Sequence, residues 1–259
     1  MSKPYFIIVP GSFAPASLYD EFVELARANG IDIKAMNLKT VRVGKASDAP
    51  APSMYDDAAA IAREVEALAD EGREVILIPH SYGGVPATES AKGLSIQERQ
   101  KQGKKGGLKR IAYKTVVLPS PGQSAQDVLE SSSSRTAPPF EADEHGWFHF
   151  TDPDYIAKET FSDLPPEKAK RWQNTFSEHS AVSFINPLTH PGYKDVPVSY
   201  LLCEDDVVIP PEQQRREIEM VERETGNKVD VTSIRAGHAP TASVPDQVLA
   251  WVLDLASKP

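Results

Sequence analysis

Val75-Ile76-Leu77-Ile78-Pro79-His80-Ser81-Tyr82-Gly83-Gly84 is the stretch on which the reading of the fold turns. Four consecutive apolar residues are the pattern of a strand buried on both faces. They run into a serine followed by two glycines, and residues 85–94 can continue as a helix. A strand, a sharp turn carrying Ser81 and a helix make the context of an exposed nucleophilic serine, because small neighbours let a strained backbone pass closely. Pro79 stands where the motif Gly-x-Ser-x-Gly has its first glycine. Taken alone, the stretch therefore also fits a plain strand-to-helix turn with Ser81 as a helix cap.

Outward from this turn, strand and helix patterns alternate. Tyr5–Val9 is a continuous apolar run stopped by Pro10-Gly11. Residues 17–29 have helical spacing and end at Gly30, and residues 31–38 alternate weakly, as in a strand nearer an edge. A Pro/Ala/Ser loop over 44–53 precedes the helix Met54–Asp70. Further strands are expected at 111–118, 198–202 and 229–234, with a closing helix at 246–256. This order predicts an α/β fold: a mainly parallel sheet of about six strands with helices on both faces. The regularity breaks over 119–193, which holds Ser131 to Ser134, Pro138-Pro139, the aromatic cluster Trp147 to Phe150 and a helix start near Pro165. The expected division is a core of residues 1–118 and 194–259 with 119–193 as an inserted cap. Residues 97–110, rich in lysine and glycine, read as a flexible, solvated connection.

The 259 residues are 40% hydrophobic, 25% charged and 8% aromatic, a balance that excludes disordered and collagen-like chains. At roughly 150 residues per domain, the length suits one large α/β domain or one domain with an insertion. A formal charge of −9, from 28 Lys and Arg against 37 Asp and Glu, argues against a nucleic-acid-binding surface, which needs a basic excess. No run approaches the roughly 18 apolar residues of a membrane span, and residues 1–9 lack a cleavage-type signature. The one cysteine, Cys203, permits neither an intramolecular disulfide nor a cysteine-rich metal site. The expectation is a cytoplasmic protein whose partner is a small apolar molecule, with no nucleic acid and no membrane; a homodimer stays open.

A serine hydroxyl is a weak nucleophile and needs a base, which in turn needs an orienting carboxylate. Of six histidines, His238 follows the last expected strand, in Ala236-Gly237-His238-Ala239-Pro240. His80 adjoins Ser81 in a tight turn that would point it elsewhere, and reads as a packing or orienting residue. His145, His149, His179 and His190 lie in the inserted segment and read as surface or pocket-lining. Glu204, Asp205 and Asp206 compete for the acid. Asp206 is favoured because the apolar turn Val207 to Pro210 would hold it under the sheet edge, toward His238. No acid directly follows the preceding strand. An oxyanion would be held by the N–H of Tyr82 and by one from Pro10-Gly11-Ser12-Phe13, with Gly11 allowing close approach and Ser12 chosen as donor over Phe13. The glycines from Gly103 to Gly107 lack the context of a phosphate cradle, and no cluster has zinc spacing, so no metal and no cofactor are expected.

Together Pro10-Gly11-Ser12-Phe13, His80-Ser81-Tyr82-Gly83-Gly84, Cys203-Glu204-Asp205-Asp206 with Pro210, and Gly237-His238-Ala239-Pro240 resemble the α/β-hydrolase superfamily. The branch most resembled contains plant methylesterases and hydroxynitrile lyases, pyrethroid-type esterases and fungal hydrolases. The resemblance runs along nearly the whole chain, with a sheet that begins at the family's third strand. It implies a catalytic triad of Ser81, Asp206 and His238 cleaving a carboxylic ester through an acyl-enzyme. The departures are Pro10, where the family more often has histidine, and Pro79. Lyases of this branch carry Thr at the position of Gly11 and Lys at that of Ala239, so hydrolysis is expected rather than cyanohydrin cleavage. Fold alone does not separate ester hydrolysis from C–C or C–O cleavage, cyclisation, or a ligand receptor with a slow triad.

Substrate choice is expected to lie in the inserted segment, which holds ten of the chain's 20 aromatic residues. Phe161 and Trp172 read as that segment's own core. Trp147, Phe148 and Phe150, preceded by Gly146, read as an irregular, movable piece lining a pocket together with Gly11 and Phe13.

Overall fold

The computed structural model describes residues 3–44, 49–131 and 140–258. Its first half contains β1 (Tyr5–Val9), α1 (Asp20–Ala28), β2 (Asp32–Ala35), α2 (Met54–Asp70), β3 (Glu74–Ser81), α3 (Gly84–Glu89), α4 (Ile96–Lys101) and β4 (Gly107–Val116). There follow α5 (Ala125–Ser131), β5 (Phe140–Ala142), β6 (Trp147–Phe150), α6 (Pro153–Thr160), α7 (Pro166–Gln173) and β7 (His179–Ser180). The chain closes with β8 (Val198–Cys203), α8 (Pro211–Thr225), β9 (Asp230–Ile234), α9 (Pro240–Ser243) and α10 (Pro245–Ser257).

Six strands pair in parallel in the order β2-β1-β3-β4-β8-β9. The continuous apolar runs follow from this position, since successive side chains of a central strand enter opposite layers. Ile7 and Val9 of β1, with Val75 and Leu77 of β3, pack on Ile61 and Val65 of α2. Phe6, Ile8, Ile76 and Ile78 point the other way, toward Phe22 of α1 and Val252 of α10. At the edge, β2 alternates from exposed Asp32 to buried Ile33. The order reverses between β1 and β3, because β2 lies on one side of β1 and all later strands on the other. Ligands of open α/β sheets bind at the carboxyl ends of the strands at such a reversal, where the segment after β1 and the turn after β3 meet.

Two local expectations are corrected. The helix expected over 85–94 stops at Glu89, and Gly93, with φ of 76°, turns the chain into α4. Of the flexible, solvated connection expected over 97–110, only the largely exposed turn at 102–106 is a connection; the rest is the end of α4 and the start of β4. Lys101, Lys104 and Lys105 are exposed, but Arg99 is buried and reaches Asp70 at 2.6 Å. Gly106 and Gly107 serve close packing there: a Cβ on Gly106 would stand 2.4 Å from the carbonyl oxygen of Arg73.

Within residues 119–193, β5, β6 and β7 form a separate antiparallel sheet, and α7 begins beside Pro165 as expected. Trp147 to Phe150 is regular strand rather than an irregular segment, because both its edges are paired. Ser132 to Ser134, Pro138-Pro139 and part of the loop over 44–53 lie outside the described residues. Among the described residues no helix is long and apolar enough to cross a membrane.

Candidate active site

β3 ends at Ser81, whose φ of 53° lies in the left-handed region. That conformation costs a non-glycine residue on the order of 1–2 kcal/mol, and close packing around the turn maintains it. A Cβ on Gly83 would stand 2.5 Å from the carbonyl oxygen of Pro10, and one on Gly84 2.7 Å from the Cβ of Val116. The turn is thus wedged between the ends of β1 and β4. Pro79 lies back in the sheet opposite Val9, before the closest approach, so its side chain is accommodated.

His238 follows β9. Its Nδ1 lies 2.8 Å from Oδ2 of Asp206, which makes Nδ1–H the donor and leaves Nε2 as an acceptor. Asp206 is buried; its Oδ1 accepts the N–H groups of Val208 at 2.7 Å and Ile209 at 3.0 Å. These are the amides of the apolar turn that singled this acid out. Its Oδ2 also accepts the hydroxyl of Thr115, which sits at φ of 40° where β4 slips register against β3. Thr115, the next-to-last residue of β4, reaches with its side chain across to the acid of the next strand. Glu204 binds Arg215 at 2.6 Å and Asp205 binds Arg235 at 3.0 Å, both toward the surface.

His80 serves the histidine's backbone. Its Nε2–H donates to the carbonyl oxygen of His238 at 2.7 Å, and its Nδ1 accepts the hydroxyl of Tyr19 at 2.8 Å. The Tyr19 oxygen accepts in turn from the Gly11 N–H at 3.4 Å. Burial, with the neighbouring Lys114 and His238, holds the His80 pKa well below the usual imidazole range, so the ring stays neutral and its two roles stay assigned. Lys114 stands opposite His80 on β4, fully buried, with no hydrogen-bond partner for Nζ among the described residues. Burial pushes its pKa down to about 7.

The segment after β1 leans on the turn: a Cβ on Gly11 would stand 3.0 Å from the Cβ of Ser81. Phe13, at φ of 64°, donates its N–H to Nδ1 of His179 at 3.1 Å. That amide is engaged, whereas the amides of Ser12 and Tyr82 make no hydrogen bond among the described residues.

These pieces meet at a cavity of about 450 Å³ lined by Gly11, Ser12, Phe13, Ser81, Tyr82 and His238 on one side. Ser81 and His238 share it without a direct hydrogen bond. Its other wall is aromatic, and includes Phe140, Phe148, Phe150, Phe176 and Phe184. Phe13 packs against Phe150 with the rings tilted by 41° and their centroids 4.4 Å apart. Trp147, expected in this pocket, does not reach it. In a strand alternate residues face opposite sides, so Phe148 and Phe150 share the cavity face while Trp147 turns away beneath the Arg42 guanidinium, 4.3 Å from its ring. Phe161 both lines the cavity and packs with Ala157, Ala169 and Trp172. Of the residues not singled out beforehand, Phe140 and Phe184 were visible only as part of the aromatic excess, and the contacts of Thr115 and Lys114 had no local signal; His179, read as surface or pocket-lining, is instead completely buried and does not line the cavity. No group of three or more His, Cys, Asp or Glu side chains suited to a metal ion occurs among the described residues.

A protein-family model described as the alpha/beta hydrolase family matches residues 6–251. A probable hydrolase, R7, of Phoma sp. is 36% identical over 256 residues, covering 99% of both chains. Methylesterase 1 of Arabidopsis thaliana is 24% identical over 276 residues, covering 99% of this chain and 97% of that one. The crystal structure of a pyrethroid hydrolase superposes with a TM-score of 0.76 at 24% identity, covering 100% of this chain and 99% of that chain. With a six-stranded parallel sheet, a strained serine turn after its third strand and a family match over almost its whole length, the chain belongs to the alpha/beta hydrolase family.

Proposed function

We propose that this hydrolase cleaves a carboxylic ester of a small to medium apolar or aromatic molecule, using Ser81 as nucleophile, His238 as base and Asp206 as orienting acid. The observation that carries this reading is the His238 to Asp206 contact at 2.8 Å, at a cavity that the strained Ser81 also lines. With an ester bound, Ser81 Oγ attacks the carbonyl carbon as its proton passes to Nε2 of His238. Asp206 stabilises the resulting imidazolium and keeps the ring's tautomer, without itself taking the proton. The amides of Ser12 and Tyr82 hold the oxyanion. On collapse, the carbonyl re-forms, the ester C–O bond breaks and the leaving alkoxide takes the proton from His238. Water then repeats the sequence on the acyl-serine, releasing the acid and restoring Ser81.

The aromatic wall supports an apolar substrate, and residues 119–193, which supply most of it, act as the cap over the site. The negative net charge and the buried free thiol of Cys203 support a cytoplasmic setting with no nucleic-acid partner. The test is Ser81→Ala, assayed on a panel of esters of graded acyl and alcohol size beside labelling with a fluorophosphonate probe. Labelling is expected to vanish and turnover to fall roughly 10³-fold or more with the fold intact; equal turnover in both proteins overturns the reading.

A further inference from the structure

His179 takes no part in the proton transfers, yet it is completely buried between the two chain segments that carry the unpaired amides. Its Nδ1 accepts the Phe13 N–H at 3.1 Å. Its Nε2–H donates to the hydroxyl of Ser183 at 3.0 Å, and that hydroxyl donates to the Ser180 carbonyl at 2.7 Å. The chain of donors runs one way: the Ser183 hydrogen is spent on Ser180, so the ring must supply the hydrogen to Ser183, and Nδ1 keeps its lone pair for Phe13. Burial pushes the ring's pKa down to about 3, which favours the neutral ring that these hydrogen bonds require.

The Phe13 carbonyl is held from the same segment, by the Ser177 N–H at 2.8 Å. Both polar groups of Phe13, a residue at φ of 64°, are thus fixed by residues 177–179. The rings of His179 and Tyr82 also meet at 79°, with centroids 4.6 Å apart. One side chain therefore touches the segment of Ser12 and the residue after Ser81. His179 belongs to β7, where it pairs with Phe148 of the cavity wall.

We propose that His179 is a positioning residue: by engaging the Phe13 amide it holds the left-handed turn that leaves the Ser12 N–H aimed into the cavity, tying the cap sheet to the oxyanion site. This rests on the reading of Ser12 and Tyr82 as oxyanion donors. Without the Nδ1 acceptor, the Phe13 amide would compete for the same space and the Ser12 amide would drift. Misplacement of a transition-state contact by about 1 Å can cost on the order of 10²-fold in rate, and it should appear in kcat rather than in KM.

The test compares His179→Leu, which removes the acceptor, with His179→Asn, whose Oδ1 can replace Nδ1 opposite the Phe13 amide. On a short aryl ester, His179→Leu is expected to lose roughly 10- to 100-fold in kcat with little change in KM. Binding of a boronic acid, which forms a tetrahedral anionic adduct on Ser81, should weaken in parallel. His179→Asn should recover most of both. Wild-type kcat in His179→Leu, with Ser81→Ala inactive, overturns the positioning role and leaves the hydrolase reading standing; absence of any Ser81-dependent turnover in the wild type overturns both. Should His179→Leu not fold, nitrogen NMR of histidine-labelled wild type decides: His179 is expected to stay neutral, with its proton on Nε2, down to pH about 4.5. A ring that titrates in the usual imidazole range, or carries its proton on Nδ1, overturns the proposal.

Discussion

Nδ1 of His238 lies 2.8 Å from Oδ2 of Asp206, whereas the adjacent Asp205 turns to Arg235 at the surface. One peptide unit separates a buried carboxylate from a solvated one. Asp206→Asn is accordingly expected to lower turnover by roughly 10⁴-fold, since an amide neither fixes the histidine tautomer nor stabilises the imidazolium. Asp205→Asn and Glu204→Gln should stay near wild type. Steady-state kinetics of the three variants check this; an inactive Asp205→Asn beside an active Asp206→Asn would contradict it.

The alternation along β6 separates two effects within four residues. Phe148→Ala and Phe150→Ala should cost roughly 1–3 kcal/mol in transition-state binding of a bulky aryl ester through lost apolar burial, and hardly affect a short acetate ester. Trp147→Ala should instead lower the melting temperature, by removing a buried ring and its contact with Arg42, without changing the ratio of kcat/KM values for the two esters. The comparison fails if Trp147→Ala shifts that ratio as far as Phe150→Ala does.

Cyanide departs as an anion, which a neighbouring cation would stabilise in the transition state. Gly11 and Ala239 line the cavity, and no lysine or arginine does so among the described residues. Cyanide release from mandelonitrile is expected to be negligible beside ester hydrolysis. An electrode measurement showing comparable rates would exclude a pure hydrolase.

Lys114 should make stability depend on alkaline pH. Its pKa is about 7 in the folded protein and near 10.5 for an unperturbed lysine. Between these values the unfolded chain binds the extra proton, so stability rises with pH across that window and the penalty is fully present below it. Lys114→Met, which removes a buried amine without a hydrogen-bond partner, is expected to raise stability at neutral pH and to flatten the rise from pH 7 to about 10.5. Melting temperatures of both proteins over that range test it; a Lys114→Met protein that melts lower throughout would contradict it.

What the amino-acid order determined by itself is what local rules govern. Apolar runs at Tyr5–Val9 and in β3, helical spacing in Met54–Asp70 and glycines at the Ser81 turn specify a parallel α/β sheet and its sharp turn, because strand parity, helix periodicity and backbone freedom act over a few residues. The apolar turn after Asp206 was legible for the same reason. The tertiary structure alone decided which face of β6 meets the cavity, since its partner strands set that face and Trp147 looked as suitable as Phe150. It also decided the supports of the site. Thr115 meets Asp206 across 91 positions and Phe13 meets His179 across 166, contacts that exist only once the sheet has brought the strand ends together. Lys114 likewise reads as an ordinary polar residue within a strand until both layers close over it. Hydrogen bonds and desolvation depend on distance in space, which for these residues is unrelated to distance along the chain.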